Sequence, residues 1–426
     1  MNLTDGLFSD TELAEIMGPK AQLSAMLAVE ASLAQVQARM GLIPLDAANA
    51  IADTANSLTP APFDLLAATA KAGIAAQALV GALKSACGDN GQWAHFGATS
   101  QDIQDTGLVL QLRDALVILE SRLMALEITL GQKAHEFSDA AIPARTRFQI
   151  AAPTTLGAKI AVWRAPLRRG LERLEQLRPR LLNVSFYGAA GTGAALAPKM
   201  PDVRAGVAAD LDLGSPMVPW HAARDGIVEL GGWLALLTGS LGKIGTDLIL
   251  LGQSEISEVS AGSGGGSSTM PQKSNPVMAE ALVTLARLNA GAVGTLHQAM
   301  VHAQERDGSA LAIEWQILPD MVIRTGAALR LAQNLAETLK PKAMNIDASF
   351  AQDKGAMLAE AAGFYLTRFM SREEALKIVA SALKNMNDGR VKNLSSALEE
   401  LAPDHDWPRI LAPENNLGDA VRQAKS

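Results

Sequence analysis

Five stretches of this chain repeat leucine and alanine at three- and four-residue spacing for longer than an ordinary globular helix lasts. They cover about residues 103–137, 154–182, 224–258, 276–304 and 315–339. In the first, Leu108, Leu112, Ala115, Leu116, Leu119, Leu123, Leu126 and Leu130 fall on one helical face. A straight helix of that length is on the order of 50 Å long. Such elements bury their apolar stripes only against one another, or against copies in other subunits. The chain is therefore expected to be all-α, with a long central bundle. No alternation typical of a sizeable sheet is present, and no solenoid period is apparent.

Composition agrees with close helix packing. Of the 426 residues, 48% are hydrophobic and only 4% aromatic, so small and aliphatic side chains fill the interior. The net charge of −7 gives no sign of nucleic-acid binding. The one tight basic cluster, 164–180, is interleaved with Leu and Glu as a solvated helix face would be. A single cysteine, Cys87, forbids an intrachain disulfide and fits a reducing cytosol. The start, MNLTDGLFSD, has neither a basic segment nor an apolar core, so no secretory signal is expected. The most apolar run, 230–242, is short of the roughly 20 residues that span a bilayer. A cytoplasmic protein without a membrane partner is the expectation.

Around the long patterns lie shorter ones. Asp10 can cap a helix running to about residue 40, and helical patterns follow at 46–58 and 63–85. Pro341 marks a break, after which Ser371 and Glu374 form a capping box for a helix at 372–384. The expected division is an N-terminal helical part (1–104), a central bundle (105–340) and a small C-terminal helical part (341–426).

Three polar segments sit at ends of long helices. The first, HFGATSQDIQDTG at 95–107, places Thr99 and Ser100 at a helix start, with Asp102 in its first turn. The hydroxyls can cap the helix or bind a carboxylate, and one can do each. The second, ARTRFQIAAPTTLGAK at 144–159, offers Arg145 and Arg147 on either side of Thr146, with Pro153 at the first turn of the next helix. An arginine here is either a surface residue or an anion ligand. The third, GSGGGSSTMPQKSNPVMAE at 262–280, is glycine-rich yet stiffened by Met270, Pro271 and Pro276. Lys273 precedes a helix start, where its charge opposes the helix dipole. Stability does not explain such a lysine, whereas anion binding does. No His/Cys/carboxylate set has metal-ligand spacing; His297 and His302 are five apart on one helical pattern. No metal or cofactor is expected.

At this loop the sequence resembles the fumarase/aspartase superfamily. GSSTMPQKSNP matches the signature Gly-Ser-Ser-x-Met-Pro-x-Lys-x-Asn-Pro at every fixed position, and the other two segments resemble the remaining blocks in the right order. The resemblance covers nearly the whole chain. It implies a three-domain protomer whose central five-helix bundle forms a 20-helix core in a homotetramer, with each active site shared among three subunits. It implies elimination or addition beside a carboxylate through an aci-carboxylate dianion. In that scheme Ser267 transfers the proton, with Ser268 as the fallback, and Lys273 and Asn275 stabilise the dianion. Glu280 orients Lys273, while Thr99, Ser100, Thr146 and Gln149 bind substrate carboxylates.

One departure narrows the chemistry. Fumarate-releasing members carry histidine after Arg-Thr in the second block, where this chain has Arg147, which cannot exchange a proton near neutral pH. The segments HFGATSQDIQDTGLVLQLRDAL, VPWHAARDGIVELGGWLALLTGSLGKI and QERDGSALAIEWQILPD are similar to a branch that lacks this histidine. That branch adds a substrate carboxylate to a double bond within one small tricarboxylate, so no leaving group needs a strong acid. Arg147 could then pair with one carboxylate bidentately. His95, His221 and Arg224 are further candidates for the pocket, although His221 could equally cap or pack near a helix start. An adenylosuccinate-type lyase and a non-catalytic helical scaffold are the alternatives.

Overall fold

The computed structural model describes residues 3–266 and 269–426, and within them the elements are helices apart from three two-stranded sheets and one isolated bridge. All five long patterns form helices: Ser100–Glu136, Leu156–Leu181, Asp225–Gly252, Val277–Gln298 and Gly308–Thr338. The eight leucine and alanine positions singled out on the first are all buried. Each fully buried leucine contributes about 1.5–3 kcal/mol relative to exposure.

By its contacts the chain forms two compact units. The first comprises Met1–Leu123, Arg169–Gly239 and Thr284–Arg330. The second comprises Met124–Arg168, Ser240–Val283 and Leu331–Ser426. In the first, the Pro19–Arg39, Leu45–Ser57 and Ala75–Ala86 helices share a core that includes Met26, Leu27, Ile51 and Leu79. In the second, the capping box of Ser371 and Glu374 starts the Arg372–Asn387 helix as expected. That helix closes a small core around Leu358, Leu366, Leu398 and Trp407.

Several boundaries differ from the sequence reading, each for a local reason. Asp10 does cap a helix, accepting from the Leu13 N–H, but that helix is only Thr11–Ile16. Pro19, at the first turn of Pro19–Arg39, has no N–H to continue it. The pattern at 63–85 splits into Pro62–Ala72 and Ala75–Ala86, bent by 120°. Gly73, left-handed at φ +73°, ends the first of these. Pro153 does not open a helix. It lies in the Gln149–Thr155 strand, opposite Pro143 of Ala141–Thr146, in a two-stranded ribbon with no inner ladder to lose. The helix begins only at Leu156, capped by Thr155 Oγ1, which accepts from Ala158 N–H at 3.0 Å.

By length and composition alone, Asp225–Gly252 and Val277–Gln298 are long and apolar enough to cross a bilayer. The run of 230–242 understated this, because Glu229 and Lys243 bound it while apolar residues continue beyond them on both sides.

Candidate active site

In the first unit, the start of the Ser100–Glu136 helix is fixed by one carboxylate. Asp102 accepts from the N–H groups of Thr99, Tyr187 and Gly188 at 3.0 Å each, and from His221 Nε2 at 2.8 Å. A carboxylate only accepts, so Nε2 of His221 carries the proton in that bond. His221 is thus packed, buried and committed to the helix start, the structural one of its two expected roles. Thr99 is tied on its side chain as well: Arg306 donates to Thr99 Oγ1 at 3.1 Å and to Ala189 O at 2.9 Å. Ser100 is the first helical residue and half-buried. His95, left-handed at φ +62°, faces Glu30. Its N–H donates to Oε2 at 3.1 Å, and Nδ1 lies 2.6 Å from Oε1. By the same acceptor argument Nδ1 holds the proton there, which makes Nε2 an acceptor in the neutral ring.

Arg224 corrects an expectation. It is 1% exposed, and every N–H it has is used. Nε and Nη2 donate to Glu314 at 2.8 and 2.5 Å, Nη1 and Nη2 donate to Asp105 at 2.8 and 3.0 Å, and Nη1 also reaches Trp220 O at 3.5 Å. No donor is left for a substrate carboxylate. Burial works against the Arg224 charge, but Asp105 and Glu314 more than offset it and hold its pKa above the usual arginine value. Burial also pushes the Glu314 carboxyl up. Its bonds to Arg224 oppose that shift and the charge of Asp105 adds to it.

In the second unit, the Ala141–Thr146 and Gln149–Thr155 strands form a hairpin with Thr146 opposite Gln149. Arg147 and Phe148 make its two-residue turn, both left-handed at φ +50° and +67° and both exposed. Such turns ordinarily take Asn-Gly. An arginine and a phenylalanine there store strain of order 1–2 kcal/mol per residue, so fold stability does not select them. The register slips between Ala144 and Arg145, where Ala152 and then Ile150 are the partners, and Ala151 bulges. The two arginines therefore differ in environment rather than simply alternating along one extended segment. Arg145 grips Glu258, fully buried, through two bonds of 2.8 and 2.6 Å.

The signature loop begins just beyond Glu258. Gly265 and Gly266 pair with Asn275 and Ser274. A Cβ on Gly264 would lie 1.6 Å from Ser274 Oγ and 3.0 Å from its Cβ, so a larger residue there would have to displace the Ser274 side chain. Lys273 is exposed, its N–H on Met270 O at 3.0 Å, and its side chain has no protein partner among the described residues. Glu280 is exposed in the first turn of Val277–Gln298. Ser267 and Ser268 lie outside the described residues. Asn275 lines a cavity of about 160 Å³ with Ser260, Ser274 and Lys342. Arg147 lines a different one, of about 310 Å³, with Lys159, Asp247 and Gln253. Among the described residues no cluster of His, Cys, Asp or Glu fits a metal ion.

Sequence reasoning passed over Glu30, Asp105, Glu258, Arg306 and Glu314. Arg306 stood in the quoted segment at 304–320, and its Glu-Arg-Asp charges were the available signal. Glu30 carried none: it sits in an ordinary helical pattern and gains meaning only from His95, 65 residues away.

The described geometry has counterparts. Residues 6–291 match the lyase family. A 3-carboxy-cis,cis-muconate cycloisomerase of Pseudomonas aeruginosa is 39% identical over 98% of this chain and 94% of its own length. An N-acetyl-S-(2-succino)cysteine lyase of Enterococcus italicus is 34% identical over 87% of this chain and 82% of its own. The crystal structure of 3-carboxy-cis,cis-muconate lactonizing enzyme from Pseudomonas putida superposes with a TM-score of 0.94 at 37% identity, covering 99% of this chain and 97% of that one.

Proposed function

This chain belongs to the lyase family of the fumarase/aspartase superfamily, and we propose that it is a 3-carboxy-cis,cis-muconate cycloisomerase. It closes its substrate to 4-carboxymuconolactone in the protocatechuate branch of the β-ketoadipate pathway. The observation that carries this reading is near-full-length identity to cycloisomerases of 39–40%, combined with arginine where fumarate-releasing members have histidine.

One substrate carboxylate oxygen attacks the double bond and forms the ring C–O bond. The electron pair moves toward a neighbouring carboxylate, giving the aci-carboxylate dianion. A proton then reaches the carbon beside it and restores the carboxylate. Ser267 supplies that proton, and acts as base in the reverse direction. Lys273 and Asn275 stabilise the dianion, most strongly where the second negative charge develops. Glu280 orients Lys273. Thr99, Ser100, Thr146, Arg147 and Gln149 hold the carboxylates, with His95 a further residue of the pocket. No step needs a metal or cofactor.

The enzyme works in the cytoplasm as a homotetramer with sites shared among three subunits, its functional segments being 1–104, 105–340 and 341–426. Two observations support assembly. Asp225–Gly252 and Val277–Gln298 are apolar, yet only half and a third of their most apolar windows are buried within the chain. The hairpin turn and the signature loop line different cavities of one unit. Apolar helix faces left bare call for other copies of this chain rather than lipid, since Asp225, Glu229, Lys243 and Asp247 punctuate the first helix.

An ultraviolet assay with 3-carboxy-cis,cis-muconate, run beside a fumarate-release assay with adenylosuccinate, tests the activity. Muconate loss without fumarate release is expected, and the reverse pattern would replace the reading with a fumarate-releasing lyase. Ser267→Ala should abolish turnover in a protein that still folds and assembles; near-normal turnover would move the proton transfer to Ser268. Reassembling inactive Ser267→Ala with inactive Thr146→Val subunits should restore some activity, and no recovery despite confirmed exchange would place both residues in one chain's site.

A further inference from the structure

The 310 Å³ cavity beside the hairpin turn is lined by an unusual set of charges. Its size is at the small end of small-molecule sites, about 300–1,000 Å³. Two of its four charged residues are already satisfied by the protein. Arg145 is forked onto Glu258. Asp247 accepts from Trp163 Nε1 at 2.7 Å and is paired with Lys243. The other two are not. Arg147 stands on the strained turn, and Lys159 projects from the first turn of Leu156–Leu181, where its charge opposes the helix dipole. Neither side chain has a hydrogen-bond or ion-pair partner among the described residues.

Lys159 is only partly exposed, and the first N–H groups of its helix are already taken, by Ala140 O, Phe137 O and Thr155 Oγ1. What the helix start offers an anion is therefore the ammonium alone. A half-buried ammonium with no partner costs desolvation free energy that packing does not return. Opposition to a helix dipole, without the burial, also singled out Lys273 in the signature loop.

We propose that Lys159 is a specificity-determining residue that, together with Arg147, grips one carboxylate group of the tricarboxylate substrate in this cavity. The inference rests on the cycloisomerase reading for the identity of the ligand. Its chemistry, two unpaired cations around a pocket sized for a small molecule, rests on the geometry. Burial lowers the Lys159 pKa, with the charges of Lys243 and Arg145 acting in the same direction and those of Asp247 and Glu258 against it. A bound carboxylate would restore what burial removes.

Lys159→Met keeps the length of the side chain and removes its charge. Its KM for 3-carboxy-cis,cis-muconate should rise about tenfold or more, as when a charge-assisted hydrogen bond is lost, with kcat little changed. Calorimetric titration of the assembled protein with tricarballylate, which is not turned over, should show a matching loss of affinity. Lys159→Arg should recover most of it, and Arg147→Met should lose affinity comparably. Wild-type KM and tricarballylate affinity in Lys159→Met would overturn the proposal. So would a fall in kcat at unchanged KM, since that places Lys159 in the chemical step or in the scaffold. If the wild-type enzyme failed to turn over the muconate, the parent reading would fall instead. The tricarballylate titrations would still decide whether Lys159 and Arg147 form an anion site.

Discussion

The polar cluster of the first unit and the hairpin face of the second use the same residue types to opposite ends. Around Arg224 every charge is buried, every donor is spent, and two carboxylates share one guanidinium. Around Arg147 and Lys159 the cations stand beside an open cavity with no ion-pair or hydrogen-bond partner among the described residues, and Arg147 sits on a turn that is itself strained. Charge whose donors are all spent inside the protein specifies architecture. Charge that the fold leaves unmatched, at some cost in stability, is available to a ligand.

The sharpest way to break this contrast is to remove Arg224. Arg224→Met would leave Asp105 and Glu314 buried together without a cation, and should cost about 3–5 kcal/mol of stability. Urea unfolding measures it. A midpoint equal to wild type would mean that the cluster is less committed than its bonds indicate, and Arg224 would return as a ligand. Lys273→Met is the matching test for an uncommitted cation. Stability should hold, while kcat should fall about 10²–10³-fold with little change in KM, as for the loss of a donor that acts on the transition state. If KM alone rose, Lys273 would be a ground-state binding group and the dianion would need another partner.

This contrast also divides what was legible in the sequence from what was not. The long helices could be read because leucine and alanine spacing is a local property that burial then enforces. The signature loop could be read because its residues form one contiguous motif, GSSTMPQKSNP, with a lysine set before a helix start. The fate of each charged residue could not be read. Arg147 and Arg224 each lie next to a polar motif, yet only the fold brings Asp105, 119 residues away, and Glu314, 90 residues away, onto Arg224. The hairpin at 141–155 was missed because its turn is Arg-Phe, which carries none of the usual turn chemistry.

A smaller effect separates recognition from stability at Arg147 itself. Arg147→Ala should weaken substrate binding by about 1.5–3 kcal/mol. Arg147→Gly should lose the same affinity and raise stability by up to about 1 kcal/mol, because glycine adopts the left-handed turn without strain. Titration and thermal unfolding of the two variants separate these effects. Unchanged affinity in both would make Arg147 a surface residue and leave its strain without a functional reason.

The smallest effect probes the charge left over in the Arg224 cluster. One guanidinium faces two carboxylates, so a fully ionised cluster would bury one net negative charge. Burial, opposed by the bonds to Arg224 and reinforced by Asp105, pushes the Glu314 carboxyl above its ordinary 4.5. A folded state that holds this proton more tightly than the unfolded chain gains stability from it below pH 4.5, and loses that gain as pH rises through the raised folded value. Glu314→Gln has no proton to lose at this position. Subtracting its stability from that of wild type at each pH cancels the titrations of groups outside the cluster and leaves the contribution of the Glu314 cluster on a constant offset. That difference should be most favourable to wild type below pH 4.5 and decline as pH rises above it. A difference that grew with pH would mean that pairing with Arg224 outweighs burial, holding Glu314 below its ordinary value, and the cluster would then keep both carboxylates charged around its single arginine.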